Sequence, residues 1–473
     1  APDVVRALLL ELGLGALLLL VFVANLGLRG GDRRVIGWIA TGGVLVLGFT
    51  SFLAAPAPAA LGGMFVQDGL AIFAKRLFLC ATFIGLLASL GAPEAAFARR
   101  AGEYHLLLLS SLLGMLVLAS ARDVILLFVA FELMSIPLYV LAGFLKRRDE
   151  AVEAALKFFL VGSVSSAVMV YGLSFVYGAA RSTDLAKVAQ AAASGQPLVT
   201  LGLLAAFAGF AFKIAAFPFH MWVPDTYEAA STPFVAWLSV APKAAGFVAL
   251  FRVYFEGAGE RAGAWMPVAA GLATLTIVAG NLMALPQQNA KRLLAYSGIA
   301  HIGYMLVGFA AASASGVAMV LFYLVAYVFS NMGAFLVVEA VARSEGSEAT
   351  AALRGLAQRS PLLALAMLLF LLSLGGIPFV AGFWAKLYVF WAAAVVGLYW
   401  LVLLGAVLTV VALFYYLLVA KRMYIEPPDR PGRIPVPATL ALAVLLCAAG
   451  VVVLGVYPKP LVMAALRVAA PLF

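Results

Sequence analysis

The sequence predicts an all-α polytopic membrane protein. Hydrophobic residues make up 65% of the chain and charged residues 11%, against about one half and about one quarter in a soluble domain. The mean hydropathy is +1.09, and the apolar residues fall into repeated runs, each long enough for the ~20 residues that cross a bilayer as a helix. The 473 residues leave room for about fourteen such spans with short loops. No alternation of strands and helices is present to carry a GxGxxG or Walker loop, so those routes to a dinucleotide or ATP are excluded. Cys80 and Cys447 both sit in apolar runs, and two cysteines cannot form a four-cysteine zinc or iron–sulfur site.

In chain order the spans are expected near 4–28, 35–55, 74–92, 104–120, 123–145, 152–178, 198–219, 232–255, 265–284, 290–311, 314–342, 361–397, 398–424 and 437–457. The first lacks the short apolar core and cleavage site of a signal peptide, so it reads as a retained helix. The chain starts at Ala1, as it would if an initiator Met were removed. Basic residues punctuate the runs. Arg6 precedes the first span, and Arg29, Arg33 and Arg34 follow it. Lys75 and Arg76 go with the second connection, Arg99 and Arg100 with the third, Arg122 with the fourth, and Lys146, Arg147 and Arg148 with the fifth. Arg181 and Lys187 follow the sixth span, Arg252 and Arg261 the eighth, Lys291 and Arg292 the ninth, and Arg343, Arg354 and Arg359 the eleventh. Lys421, Arg422, Arg430 and Arg433 follow the thirteenth, and Lys459 and Arg467 the last.

Sorted by side, seventeen of these fall with the odd-numbered connections and ten on the other face. Positive residues favour the cytoplasm, so both termini are expected outside it. The net charge of +10 is thereby a matter of topology rather than of nucleic-acid binding. Of the 31 Lys and Arg, four remain: Lys157, Lys213, Lys243 and Lys386. All four are lysines inside predicted spans. A proton carrier needs a group that can lose its charge, which a desolvated lysine can do and an arginine effectively cannot.

A charge at the bilayer centre costs about 2.5–3.5 kcal/mol on insertion scales, so intramembrane charges face partners or water and mark pathways. Glu132 lies mid-span in LFVAFELMSIPLYV, and its bland alternative is a structural ion pair. Lys213 and Lys243 are too deep to snorkel easily. Lys157 is a turn or two from the basic loop at 146–149, so snorkelling is a fair alternative there. His301 is mid-span and titrates near neutral pH in its ordinary state, though a hydrogen-bonded core histidine would look the same. His220 stands at a break and reads equally as a cap or a relay. Tyr304 and Ser297 read as packing or water-line groups.

Two spans are interrupted. The seventh ends at FPFHMWVP, around Pro218, and the twelfth contains SLGGIPFVAGFWAK, with Gly375, Gly376, Pro378 and then Lys386. Glycine tolerates unusual dihedrals, and proline removes a donor and blocks an upstream carbonyl. The backbone groups so freed must be met by protein or water. The breaks are five spans apart, an odd number, so the two helices run in opposite directions. Interrupted segments at matching positions point to inverted repeats around a midplane ion site. The expected organisation is 1–103 (helices 1–3), 104–255 (first repeat, helices 4–8), 256–424 (second repeat, helices 9–13) and 425–473 (helix 14).

FELMSIPLYVLAGF (131–144), EAALKFFLVGSVSSA (153–167), FKIAAFPFHMWVPDTYEAASTP (212–233), NLMALPQQNAKRLLAYSGIAHIGYML (281–306) and GGIPFVAGFWAKLYVF (375–390) resemble the antiporter-like subunits of respiratory complex I. The resemblance runs from about residue 65 to the C-terminus. It implies fourteen helices, two inverted five-helix repeats and breaks in helices 7 and 12. It implies proton-translocating roles for Glu132, Lys213, Lys243, His301 and Lys386, with Lys157 and His220 also on family positions. It further implies a translocase subunit of the bacterial cytoplasmic membrane whose NADH, FMN, iron–sulfur clusters and quinone belong to partner subunits, with no cofactor of its own. Other antiporter-like and small membrane subunits would be its partners, along with lipid and protons, but no nucleic acid. A lysine at 386 and a chain end about 15 residues after the last span distinguish it from the middle and the largest of the three related subunits. The rival readings are a multisubunit cation/proton antiporter, a hydrogenase- or ferredoxin-linked pump, and a purely structural membrane subunit.

Overall fold

Polar caps fix where many of the helices begin. Asp68 accepts from Ala71 N at 2.8 Å, Asp123 from Ile125 and Leu126 N, Asp184 from Ala186 N, Asn289 from Lys291 and Arg292 N, and Ser313 from Gly316 N. Each cap satisfies donors that the first turn leaves open. The computed structural model describes residues 2–28, 33–91, 99–258 and 262–473. Arg29 and Arg261, two of the charges sorted by side, lie outside them.

The first nine helices are α1 Pro2–Ala7, α2 Leu9–Gly27, α3 Arg34–Thr50, α4 Gly69–Leu90, α5 Ala101–Ser120, α6 Val124–Ala142, α7 Asp149–Ala180, α8 Leu185–Ala193 and α9 Pro197–Ile214. Next come α10 Trp222–Ala229, α11 Thr232–Leu238, α12 Ala241–Phe251, α13 Ala262–Ala284, α14 Ala290–Ala310 and α15 Ala314–Glu345. The rest are α16 Leu356–Arg359, α17 Pro361–Gly375, α18 Ala381–Val395, α19 Tyr399–Tyr424, α20 Ala438–Val456 and α21 Lys459–Ala469. Among the described residues, 12 helical segments are long and apolar enough to cross a membrane, with α11 and α12 taken as one. With α3, and with α17 and α18 taken as one broken span, they give the fourteen read from the sequence.

Packing divides the chain into two compact units, one of residues 1–214, 241–265 and 470–473, the other of residues 215–240 and 266–469. Of the four passages of the chain between the units, two coincide with interruptions of a span, one at Ile214, where α9 stops, and one at Val240, in the turn between α11 and α12. In the first unit α7 and α9 approach through small residues. A Cβ on Gly172 would lie 2.5 Å from Gly202 O, and one on Gly202 2.5 Å from Gly172 O. Small residues let membrane helices come together on dispersion forces alone.

Several details depart from the sequence reading. The eighth span was expected to be continuous from 232 to 255. It is interrupted at Ser239–Val240, just before Pro242, and ends in a π-turn over Arg252–Glu256. A short antiparallel pair, Ala57–Ala60 with Phe65–Gln67, follows α3, in a stretch dominated by alanine, proline and glycine, which are depleted in strands. The amphipathic helices α8 and α21 were also unforeseen, being too short and too polar to stand out as spans.

The largest correction concerns buried charge. Lys75 and Arg252 were sorted with connections, and no arginine was read as intramembrane. Both side chains are fully buried. Lys75 Nζ lies 2.6 Å from Glu11 Oε1 and also donates to Gln67. Arg252 donates to both Asp68 oxygens at 2.6 and 2.7 Å, to Glu256 and to Ala119 O. Glu132 is therefore joined by Glu11 and Glu339 as acids held within helices, Glu339 bonding Arg343 at 2.6 Å. The Lys75–Glu11 and Arg252–Asp68 pairs join positions far apart in sequence, whereas Arg252–Glu256 and Arg343–Glu339 are i,i+4 neighbours on one helix. Asp68 sits just outside its span. Burial pushes its carboxyl up, but the hydrogen bonds and charge of Arg252 outweigh this and hold it below the ordinary carboxylate value.

Candidate functional site

In the first unit the site is built on α6, α7, α9 and α12. Lys213 stands in the last turn of α9, 2% exposed. Its Nζ lies 4.9 Å from the centre of the Phe131 ring and 5.9 Å from those of Tyr139 and Phe212. Among the described residues it has no hydrogen-bond partner. A desolvated cation–π contact contributes about 2 kcal/mol or more, comparable with the ~2.5–3.5 kcal/mol that a membrane-buried charge costs, and the nearby charge that acts on the lysine besides the rings is Glu132.

Glu132 is partly buried on α6. Its Oε1 accepts from Ser166 Oγ on α7 at 2.6 Å, which anchors the carboxylate from a second helix. Room for the adjacent Tyr139 comes from Gly162, where a Cβ would sit 2.2 Å from the Tyr139 hydroxyl. Lys243 lies on α12, 1% exposed. Gly246, one turn along on the same face, packs against α9. A Cβ there would meet Ile214 Cγ2 at 2.8 Å and Lys213 Cγ at 3.4 Å. The face of α12 that carries Lys243 is thus turned toward the lysine end of α9.

In the second unit the site surrounds the break between α17 and α18. Gly376 ends α17 in the left-handed region, φ 81 and ψ 34, and Ile377 N returns to Leu372 O at 3.0 Å. This is a helix-ending turn that glycine permits and other residues resist. The freed carbonyl of Gly375 accepts from Lys386 Nζ at 3.4 Å. The ammonium also lies 4.8 Å above the Tyr304 ring. A Cβ on Gly376 would stand 3.0 Å from Lys386 Cδ, so the break cradles the lysine stem as well as its head. Ser373 ties the two halves together: its Oγ accepts from Gly382 N at 3.0 Å and meets Ser330 Oγ at 2.7 Å.

His301, on α14, is held at both ring nitrogens. Nδ1 meets the Tyr323 hydroxyl at 2.7 Å and Nε2 the Tyr416 hydroxyl at 3.2 Å. Tyr416 also bonds Ser297. Close by, Tyr415 donates to Asn281 Oδ1 at 3.1 Å, and Asn281 Nδ2 donates to the Tyr304 hydroxyl at 3.2 Å. His220 lies in the turn that carries Pro218. It is buried, with its ring stacked on Phe217 at 5.1 Å. Phe217 N in turn donates to Thr276 Oγ1 at 3.0 Å.

Lys157 differs from the other three lysines. Its side chain is 49% exposed and pairs with Glu153 Oε1 at 2.8 Å on the outer face of α7. Buried cations that have a carboxylate partner form another class. Besides Lys75 and Arg252, Lys291 is fully buried and bonds Ala230 O at 2.8 Å and Glu348 at 2.9 Å. Among the described residues no carboxylate pairs with Lys386. The arrangement can therefore hold a movable positive charge at Lys213 and Lys386 and a fixed one at Lys75, Arg252 and Lys291.

Residues 121–412 match the family described as NADH:quinone oxidoreductase/Mrp antiporter, TM. The whole sequence is 42% identical over 472 residues, 99% of this chain and 98% of the relative, to the NADH-quinone oxidoreductase subunit N of Moorella thermoacetica. The chain belongs to the NADH-quinone oxidoreductase subunit N family. It is a multi-pass membrane subunit of a translocase and carries the antiporter-like fold of that family. A chain in the structure of respiratory complex I from Thermus thermophilus superposes with a TM-score of 0.82 at 33% identity, over 96% of this chain and 99% of that one. A chain of the Mrp complex from Dietzia sp. DQ12-45-1b reaches a TM-score of 0.90 over 100% and 98% of the two chains. At 21% identity that second likeness concerns the fold alone.

Within this subunit N fold, sequence reasoning overlooked Ser166, Tyr323, Tyr416, Tyr415 and Asn281, which surround the candidate site residues, and read Tyr304 and Ser297 as packing or water-line groups. A serine or tyrosine in an apolar run is common and carries no charge to draw attention. The usable signal was Asn281, an amide within a span at the start of the motif NLMALPQQNAKR.

Proposed function

We propose that the chain moves protons along a midplane relay of Glu132, Lys213, Lys243, His301 and Lys386, coupled to quinone reduction elsewhere in complex I. The observation that carries this reading is Lys213: a buried ammonium without a hydrogen-bond partner, governed by a carboxylate that a second helix anchors. While Glu132 is ionised and close, Lys213 keeps its proton. When events in a neighbouring subunit weaken that pairing, the proton is driven toward Lys243. A tenfold change in a protonation equilibrium takes only about 1.4 kcal/mol, so a modest displacement of the carboxylate is enough.

From Lys243 the charge passes through water and His301 to Lys386, which opens to the opposite side. His220, at the seventh-span break, serves the first half of the path. Lys157, exposed with Glu153, serves it from the outer face of α7, where a neighbouring membrane subunit would meet the chain. Helices 4–8 and 9–13, residues 104–255 and 256–424, act as inverted repeats that present these groups from opposite sides, with both termini on the periplasmic face of a bacterial cytoplasmic membrane. NADH, FMN, the iron–sulfur clusters and quinone are held by partner subunits, among them a second antiporter-like chain and smaller membrane subunits.

The test is proton pumping by the purified, reconstituted complex. In assembled complexes, Glu132→Ala should cut protons pumped per NADH about tenfold or more, as loss of a positioned proton-transfer group does, while Glu132→Asp retains a substantial part. Equal pumping by the two variants would sink a charge role for Glu132. The rival cation/proton antiporter draws on the likeness of fold to the Mrp chain. It predicts a purified assembly without inhibitor-sensitive, NADH-dependent quinone reduction.

A further inference from the structure

The hydroxyls around His301 form a directed chain. Asn281 Nδ2 donates to Ile277 O at 2.9 Å as well as to the Tyr304 hydroxyl. A backbone carbonyl only accepts, so the orientation of the amide is fixed. Asn281 Oδ1 must then accept, and Tyr415 is its donor. Tyr415 packs against Tyr416 with ring centres 4.6 Å apart. Tyr416 in turn bonds Ser297 and His301 Nε2. All of these side chains are buried and all belong to the second unit.

Hydroxyls and amides differ in what they can pass on. A tyrosine hydroxyl both donates and accepts. It can take a proton from the imidazole on its oxygen as its own O–H proton leaves for the next acceptor, so no tyrosinate forms, and rotation about the C–O bond resets it. An amide cannot do this without becoming an imidic acid. A hydroxyl path that starts at His301 therefore runs through Tyr416 to Ser297, and the neighbouring Tyr415, whose proton goes to Asn281, is not part of it. Beyond Asn281, the Tyr304 ring lies under Lys386.

We propose that Tyr416 is a relay residue that takes a proton from His301 Nε2 as its own O–H proton passes to Ser297 and from there to water, which bridges to Lys386, while Asn281, by holding the Tyr415 proton, closes the other branch. The inference rests on His301 carrying a proton in the relay described above. Tyr327 supplies the control. Its ring lies 5.2 Å from His301, but its hydroxyl is buried without a hydrogen-bond partner among the described residues, so it is outside the chain of hydroxyls.

The experiment compares protons pumped per NADH in reconstituted, fully assembled complex carrying Tyr416→Phe, Tyr327→Phe or His301→Ala. A fourth complex carries 3-fluorotyrosine at 416, which keeps the ring and the hydrogen bonds and makes the hydroxyl more acidic. Tyr416→Phe should lower pumping about tenfold or more, in keeping with loss of a proton-transfer group. Tyr327→Phe should pump as the unmodified complex does, and fluorotyrosine should shift the pH profile of pumping. Wild-type pumping by Tyr416→Phe, equal losses in both phenylalanine variants, or an unmoved profile with fluorotyrosine would each overturn the relay role of Tyr416. Should Tyr416→Phe fail to assemble, the fluorotyrosine profile alone decides. Undiminished pumping by His301→Ala would instead overturn the proposed function on which the inference stands.

Discussion

Lys213 and Lys386 each sit beside a broken span, but their surroundings differ in kind. Lys213 has aromatic rings and a neighbouring carboxylate, with no hydrogen bond of its own. Lys386 has a freed backbone carbonyl, a tyrosine ring and no carboxylate partner among the described residues. The charge on Lys213 depends on a second charge, Glu132, anchored from another helix. The charge on Lys386 depends on the break itself, which is fixed by Gly376 and by the Ser373–Gly382 link. On the proposed relay, one lysine would be controlled by a neighbour and the other would receive a proton in a fixed cradle.

That contrast can be broken experimentally, beginning with the largest expected effect. Lys213→Met in assembled complex should cut protons pumped per NADH about a hundredfold, the lower range for a lost proton-transfer group. Residual pumping near wild type would remove Lys213 from the path. Gly376→Ala acts on the other cradle. It forces a β-carbon into a left-handed position and to 3.0 Å from Lys386 Cδ. Strain of about 1–2 kcal/mol should leave the complex assembled and reduce pumping about tenfold, with thermal unfolding showing only a small loss. A variant with an unchanged pumping ratio would mean that the cradle does not position the lysine.

Ser166→Ala sharpens the first half of the comparison. It frees Glu132 from its 2.6 Å anchor without removing charge. Pumping should fall a few-fold, about 1 kcal/mol for a hydrogen bond to a charged group less what water restores, and in a Glu132→Ala background Ser166→Ala should add little, because the carboxylate it anchors is gone. Additive losses would place the serine outside the carboxylate's control. The smallest effect on pumping is expected from Asp68→Asn. It leaves Arg252 buried with one carboxylate fewer, so the melting temperature should drop while protons per NADH stay unchanged. The folded-state carboxyl of Asp68 is held below its ordinary value. Its stabilising contribution is therefore present at neutral pH and is lost as pH falls below the ordinary carboxylate range and then through the folded value. The wild-type protein should lose this contribution in acid, and the Asn variant should be flat over the same window by calorimetry.

The same comparison explains what could be read from the sequence. Lys213, Lys243 and Lys386 stood out because each interrupts an apolar run, and the breaks stood out because glycine and proline punctuate backbone locally. Their immediate surroundings did not. Arg252 lies 184 positions from Asp68, and Tyr416 lies 115 positions from His301. Pairings at such separations are made by packing, and a single sequence carries no trace of them. Charge therefore did not set apart Lys157, exposed on the outer face of α7, from the buried lysines, and it under-reported Lys75 and Arg252, whose partners neutralise them.

The central claim is that the buried lysines work by releasing a proton rather than by bearing a fixed charge. Arginine keeps the charge and does not give up its proton, so Lys386→Arg separates the two directly. In reconstituted, fully assembled complex with NADH as donor, the relay predicts that Lys386→Arg loses proton pumping as completely as Lys386→Met. Wild-type protons per NADH from the arginine variant would contradict it.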